Sequence, residues 1–220
     1  MNRLTRFVGV SVAISFLGFG LGAQSGAIDL SRLHVANGLQ VVNRGISHLV
    51  DGSRRGLLLS ADSGEGIAYL TGVEFSSGTI ECDIRGKDVP QQSFLGIAFH
   101  GVDDTTYESV YFRPFNFHGV DSTHRAHAVQ YESVPGNGWQ KLRTEHPGGY
   151  EQPVNPVPNP NEWFHIRIVV ADTTISVFVA KASQPSLVVR PLSGRSRGRV
   201  GLWVGNGSGG AFANLSIRPN

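Results

Sequence analysis

The chain has 220 residues, and its 19 Lys and Arg against 17 Asp and Glu leave a formal net charge of only +2. With this balance, and with no basic stripe interleaved with aromatic residues, nucleic acid is excluded as an expected partner. The single cysteine, Cys82, cannot form an internal disulfide, so the fold must depend on a buried core. We expect Cys82 to be a small buried hydrophobe rather than a catalytic thiol.

The N-terminal segment is typical of a secretory signal peptide. Arg3 and Arg6 precede an apolar stretch over residues 7–21, and small residues follow it. That stretch is shorter than the roughly 18 to 20 apolar residues of a membrane-spanning helix. We therefore expect a signal peptide over residues 1–23, with cleavage between 22 and 27, and a secreted or periplasmic protein. An uncleaved membrane anchor is the alternative.

Residues 24–220 predict one all-β domain. Short runs rich in Val, Ile, Phe and Tyr alternate with turns that contain Gly and Asp, which is typical of a sandwich or barrel. The predicted strands cover residues 57–59, 68–70, 79–85, 94–100, 108–113, 127–132, 163–170, 175–180, 187–190, 199–204 and 211–217.

Two stretches interrupt the strand pattern. Residues 139–146 predict one or two helical turns. In residues 147–161, Pro153, Pro156, Pro158 and Pro160 forbid both helix and central strand. We expect the second stretch to be a surface excursion that links two sheets. Trp139 and Trp163, which flank it, are predicted to be packing anchors.

Alternation then assigns side chains to faces, because residues two apart in a strand share a side. In the strand 79–85 the apolar side chains face one way, and Glu81 and Asp83 face the other. The next three strands alternate in the same manner, and consecutive strands with short connections usually pair. We therefore expect a four-stranded meander whose polar face carries Glu81, His100, Arg113 and Gln130.

Three segments resemble strands of concanavalin A-like jelly rolls: residues 75–85 (FSSGTIECDIR), 201–205 (GLWVG) and 212–218 (FANLSIR). The resemblance covers residues 57–219 and is nearest to the 3-keto-disaccharide hydrolase domain, with laminarinase-type and laminin G-like sandwiches more distant. It implies a two-sheet antiparallel β-sandwich with one sheet that binds carbohydrate. The laminarinase motif of three alternating carboxylates is broken, since Arg85 stands at the third position, and the histidine that often follows the GLxx segment in the hydrolase domain is missing.

The candidate site residues fall into three groups. The catalytic candidates are acid–base groups of the predicted polar strands: Glu81, Asp83, Glu132 and His100. The ligand-binding candidates combine aromatic platforms with planar hydrogen-bonding groups: Tyr111, Arg113, Asn116, Gln130 and Trp203. Asp103 and Asp104 are candidates for a divalent metal such as calcium.

Each group has a simpler alternative. Glu81 and Asp83 would also suit a solvated face balanced by Arg85, and Arg113 would also suit an ion pair with Glu108 or Glu132. The two neighbouring aspartates are also typical of a hairpin turn, which the sequence favours over a metal site.

We expect a carbohydrate-engaging protein whose partner is an oligosaccharide or polysaccharide. Three functions remain open from the sequence: a hydrolase or lyase that acts on a glycosidic bond, a non-catalytic glycan-binding module, and a laminin G-like protein-interaction domain.

Overall fold

A computed structural model describes residues 27–220 of the chain. The predicted signal peptide, residues 1–23, lies outside the described residues. Within the described part, no helix is both long enough and apolar enough to cross a membrane.

The described residues form mostly β-strands, with a few short helices between them. The strands are β1 Ala27–Ile28, β2 Leu39–Val42, β3 Ile46–Asp51, β4 Arg54–Asp62, β5 Gly66–Phe75, β6 Gly78–Arg85, β7 Leu95–Gly101, β8 Tyr107–Phe112, β9 Val129–Val134, β10 Glu151–Gln152, β11 Phe164–Ala171, β12 Thr174–Val179, β13 Leu187–Val189, β14 Gly198–Val204 and β15 Ser208–Pro219. The helices are α1 Leu30–Val35, α2 Ser122–Ala126, α3 Trp139–Glu145 and a 3-10 turn at Pro114–Asn116.

The strands form two antiparallel sheets. One sheet has eight strands in the order β13-β12-β11-β6-β15-β4-β3, with β1 paired to β15; the other has seven in the order β10-β9-β8-β7-β14-β5-β2. The predicted single-domain, all-β jelly-roll sandwich is confirmed. The Pro-rich stretch contributes β10 to the edge of the seven-stranded sheet and then crosses to β11 in the other sheet.

The core lies between the two sheets and is built by strict alternation. In β6, Ile80, Cys82 and Ile84 are fully buried, and Leu95 and Ile97 of β7 meet them from the other sheet in the same apolar core. Each large apolar side chain buried in this way contributes roughly 1.5 to 3 kcal/mol. Cys82 is fully buried in this core, as expected for a small hydrophobe, and burial raises the pKa of its thiol.

The predicted four-stranded meander is wrong at its first strand. β7, β8 and β9 pair consecutively, but β6 pairs with β11 and β15 in the eight-stranded sheet. The faces of β6 were assigned correctly; its apolar pattern, however, does not reveal which of two sheets it joins. Residues 86–94 carry the chain across the sandwich, so Glu81 and Asp83 lie on the outer face of the eight-stranded sheet.

The predicted position of His100 on the open polar face is also wrong. His100 has a positive φ of 49°, which breaks the alternation of β7, and its side chain is buried. Its Nδ1 lies 3.0 Å from a Glu108 carboxylate oxygen, and its Nε2 donates to the Ser76 carbonyl oxygen at 2.7 Å. Glu108 also accepts hydrogen bonds from Tyr131 and Ser193. His100 is therefore the partner of a fully buried carboxylate.

Candidate functional site

A cavity of about 890 Å³ lies over the face of the seven-stranded sheet that points away from the core. Its floor is formed by side chains of β8, β9 and β14. Its walls come from the β6–β7 connection, the 3-10 turn with α2, the first turns of α3, and the β14–β15 turn. Five of the predicted site residues line it: Tyr111, Arg113, Asn116, Glu132 and Trp203.

The aromatic floor depends on a glycine. Gly96 of β7 pairs with Tyr111 on one side and with Trp203 on the other. A Cβ atom at Gly96 would lie only 2.1 Å from the carbonyl oxygen of Val110, so no larger residue fits there. The rings of Tyr111 and Trp203 are in contact, with centroids 4.7 Å apart, and both are almost fully buried.

Trp139, predicted from the sequence to be a packing anchor, is the most exposed of the Trp, Tyr and Phe rings that line the cavity. Trp139 is the first residue of α3, lines the cavity and is 40% exposed. The Arg143 guanidinium lies 5.0 Å from its ring centroid. Trp163, in contrast, lies on the eight-stranded sheet side, between Arg54 and Arg85.

Glu132 provides a buried carboxyl group at the cavity. It stands opposite Ser109 on β8, and its side chain accepts hydrogen bonds from the Ser109 hydroxyl at 3.1 Å and from the Trp139 backbone N–H at 3.2 Å. Burial, helped by the negative charge of Glu65, raises the pKa of Glu132 to about 7. Glu132 is therefore able to hold or release a proton near neutral pH.

Glu65 is a second carboxylate at the cavity, and sequence reasoning missed it. It lies at the turn before β5 and accepts a hydrogen bond from the Tyr107 hydroxyl. That hydroxyl in turn accepts from the Trp203 indole N–H at 3.0 Å. The surrounding Ser-Gly-Glu sequence is typical of a turn, so no local sequence pattern connects Glu65 with this site.

Arg113 is fixed at the far end of β8 and is only 5% exposed. Its guanidinium donates to the His127 carbonyl oxygen at 2.9 Å, to the Tyr111 hydroxyl at 3.0 Å and to the side-chain oxygen of Gln130 at 2.5 Å. Gln130 is fully buried beneath it, and Asn116 donates to the same His127 carbonyl. The structure thus brings four predicted ligand-binding residues together: Tyr111, Arg113, Asn116 and Gln130.

The carboxylate nearest to Arg113 is Glu151, rather than the Glu108 or Glu132 considered from the sequence. The two side chains lie 3.7 Å apart. Arg143 makes two hydrogen bonds to Glu151, at 2.7 and 2.8 Å. His127 Nδ1 lies 2.8 Å from a Glu151 carboxylate oxygen, and burial lowers the pKa of His127.

Glu81 and Asp83 are not part of the cavity. On the outer face of the eight-stranded sheet, Asp83 contacts His165 at 2.8 Å and Arg54 at 3.2 Å, and Glu81 contacts Arg218 at 2.5 Å. The hydrogen bond from His165 is the main cause that lowers the pKa of Asp83 to about 2. These two carboxylates are charge-balanced on the outer face of the sheet, but Arg85, the balancing residue expected from the sequence, pairs with Asp51 instead.

Asp103 and Asp104 lie in the hairpin between β7 and β8. Asp103 accepts hydrogen bonds from the Thr105 backbone N–H at 2.9 Å and the Thr105 hydroxyl at 3.0 Å, the contacts of an Asx-type turn. No group of three or more His, Cys, Asp or Glu side chains within residues 27–220 has the arrangement of a metal site. The predicted calcium site therefore has no geometric support in this part of the chain.

No protein-family model matches the chain, and no curated protein is similar to it in sequence. Solved structures share its fold. A carbohydrate-binding module from Bacillus subtilis superposes with a TM-score of 0.56 at 16% identity, over 82% of this chain and 95% of the module. The Emp46p carbohydrate recognition domain superposes with a TM-score of 0.54 at 11% identity, over 88% of this chain and 96% of the domain. A putative glycosyl hydrolase from Parabacteroides distasonis superposes with a TM-score of 0.51 at 13% identity, over 84% of this chain and 89% of the hydrolase. At these identities the likeness establishes the jelly-roll fold alone.

The raised pKa of Glu132 predicts a pH-dependent stability. The pKa rises from an ordinary 4.5 to about 7 on folding, so the folded state favours the protonated form. The stabilisation is complete below about pH 4.5 and is lost as the pH rises through about 7, a change of roughly 3 kcal/mol. Urea unfolding at pH 4.5, 6 and 8 should show wild type losing stability relative to Glu132→Gln as pH rises. A stability difference that is the same at all three pH values would contradict the buried carboxyl.

Proposed function

We propose that the protein binds a saccharide in the cavity over the seven-stranded sheet. The observation that carries this proposal is the meeting of an accessible indole, Trp139, with buried planar hydrogen-bonding groups in one cavity. A sugar ring presents an apolar C–H face and a rim of hydroxyl groups, so its recognition needs an aromatic plane and fixed donors and acceptors. Trp139 supplies the plane, while Arg113, Asn116 and Glu132 supply the polar groups.

Preorganisation supports the same proposal. Arg113 is held by three acceptors, and the Glu132 carboxyl by two donors, before any ligand arrives. Fixed polar groups lower the entropic cost of binding. The volume of about 890 Å³ lies within the range of sites that enclose small molecules.

Two further lines of support are less specific. A carbohydrate-binding module and a carbohydrate recognition domain have this fold, although one sandwich fold hosts many functions. The N-terminal sequence is typical of a signal peptide, and we propose that the protein is exported, where it meets extracellular or envelope glycans.

Replacing Trp139 with Ala should weaken saccharide binding about tenfold or more, equivalent to roughly 1.4 kcal/mol, because the accessible stacking surface is lost. The measurement is calorimetric titration with the members of a glycan panel that bind the wild type. Trp163→Ala, the same change on the other side of the sandwich, is the matched control and should leave affinity unchanged. Equal weakening in both variants, or in neither, would contradict the site. If a protein partner is retained in a pull-down while no glycan binds, the protein-interaction alternative replaces this proposal.

Cleavage of a glycosidic bond is a second candidate function, and it is favoured by two of the three carboxyl groups that line the cavity, Glu132 and Glu65. Glu132 would donate its proton to the glycosidic oxygen as the C–O bond breaks. Glu65 would accept a proton from the water that adds to the anomeric carbon. In this reaction one glycosidic C–O bond is broken and one water molecule is consumed, and each of the two products gains a hydroxyl group. The 3-keto-disaccharides suggested by the sequence resemblance belong among the substrates to test.

A reducing-end assay, which detects products of both hydrolysis and elimination, decides between enzyme and binding module. If the protein is an enzyme, Glu132→Gln should lower kcat at least about a hundredfold, as expected for loss of a general acid, and Glu65→Gln should also lower it. Glu81→Gln, on the other sheet, is the control and should retain full turnover. Absence of turnover in the wild type on substrates that it binds would identify a non-catalytic module.

A further inference from the structure

The end of the cavity opposite Glu65 carries a charge that saccharide binding in general does not require. We define the basic end as Arg113, His127 and Arg143. We propose that the basic end binds the anionic group of an acidic saccharide, either the carboxylate of a uronic acid residue or a sulfate ester. This inference rests on the saccharide-binding function proposed above.

The charges at the basic end do not cancel. Arg113 and Arg143 are permanently cationic. Among the described residues, Glu151 is the carboxylate within 4.0 Å of either guanidinium, and it is shared by both and by His127. Two permanent cations on one buried anion leave one positive charge in excess. An anionic ligand group would neutralise it.

Donors for such a group remain free. Arg143 uses Nε and Nη2 for Glu151, and Arg113 uses Nη1 and Nη2 for its three acceptors. Within residues 27–220, no acceptor is hydrogen-bonded to Arg143 Nη1 or to Arg113 Nε. Guanidinium N–H groups bind carboxylate and sulfate oxygens through short charge-assisted bonds. Arg113 is buried and Arg143 is half-buried, so the attraction at Arg113 is screened less than it would be on the surface.

Two of the three carboxyl groups that line the cavity, Glu65 and Glu132, lie away from Arg113 along β8, and the third, Asp88, is an exposed residue of the β6–β7 connection. The Glu65 carboxylate accepts a hydrogen bond from Tyr107 at the start of β8, whereas Arg113 directly follows the end of β8. The backbone positions of Tyr107 and Arg113 are roughly 20 Å apart along the strand. The Arg113 guanidinium reaches back along β8 to the Tyr111 hydroxyl, so the two charges are closer than the two backbone positions. Glu132, opposite Ser109, lies between them. The cavity is therefore electrically polar along β8, and this polarity would orient an acidic sugar with its anionic group toward Arg113.

The stacking surface lies at the same end. Arg143 packs against the Trp139 ring, and Trp139 borders the cavity beside it. A pyranose on Trp139 would thus place its substituents within reach of Arg143. Arg113 and Arg143 would bind the anionic group, and Trp139 would stack against the sugar ring.

The test uses oligosaccharides of glucuronate, galacturonate and mannuronate, each beside its carboxyl-reduced neutral counterpart, and a sulfated galactan oligosaccharide beside its desulfated form. Calorimetric titration of the wild type should give at least one acidic member an affinity about tenfold or more above its neutral counterpart. That preference should fall as NaCl is raised from 20 to 300 mM, because added salt screens charge. The uronate and sulfate arms distinguish the two sources of the anionic group.

Variants then assign the preference to the basic end. Arg143→Gln, at a half-buried position, should reduce the preference for acidic over neutral saccharides several-fold. Arg113→Lys should also reduce this preference, because lysine lacks the planar guanidinium that donates two parallel hydrogen bonds. Arg167→Gln, on the outer face of the eight-stranded sheet, is the matched control. If neutral members bind as well as acidic ones, or if Arg143→Gln and Arg167→Gln behave alike, this inference is overturned while saccharide binding stands. If no member of either kind binds, both proposals fail. The wild-type measurements decide the matter even if Arg113→Lys does not fold.

Discussion

A sandwich of two sheets buries one face of each sheet, and every functional statement about this molecule depends on what happens to the other two faces. The outer face of the eight-stranded sheet is covered by ion pairs such as Asp83–His165 and remains at the surface. The outer face of the seven-stranded sheet instead carries Tyr111, Trp203 and Glu132, which are buried although they point away from the core. Short helices and loops cover them, and the space left beneath that cover is the cavity. A buried face with an unfilled volume is where a ligand can meet fixed side chains.

The buried polar groups of the cavity make the site rigid and electrically uneven. Arg113 sits on a hydrogen-bonded base of Gln130, Tyr111 and the His127 carbonyl, and Glu151 ties Arg113, Arg143 and His127 into one cluster. Glu132 has two hydrogen-bond donors but, among the described residues, no cation within ion-pair distance, and burial raises its pKa to about 7. Burial of charge is costly unless it is paired; Glu151 pairs with Arg113 and Arg143, whereas Glu132 instead favours its neutral form. This uneven charge is also what separates an acidic saccharide from a neutral one as the expected ligand.

Much of the fold followed from the sequence because alternation is a local property. The apolar faces of β6, β7, β8 and β9, the helical turns of α3 and the excursion before β11 were all predictable. The sheet to which β6 belongs was not, since it depends on pairing with β11 and β15, far away in the chain. That single error displaced Glu81 and Asp83 from the proposed site. His100 was misplaced for another reason, because one residue with positive φ reverses the side that its side chain faces. Glu65 and Trp139 came to the cavity through tertiary contacts that no local pattern encodes.

The enzyme and the binding module share one requirement, namely that saccharide occupies the cavity over the seven-stranded sheet. A crystal structure of the protein soaked with a mixture of neutral and acidic oligosaccharides tests that requirement most directly. We predict saccharide density against the Trp139 ring, with a polar or anionic substituent at Arg113 and Arg143. Density on the outer face of the eight-stranded sheet beside Glu81 and Asp83, with the cavity free of sugar, would contradict the account.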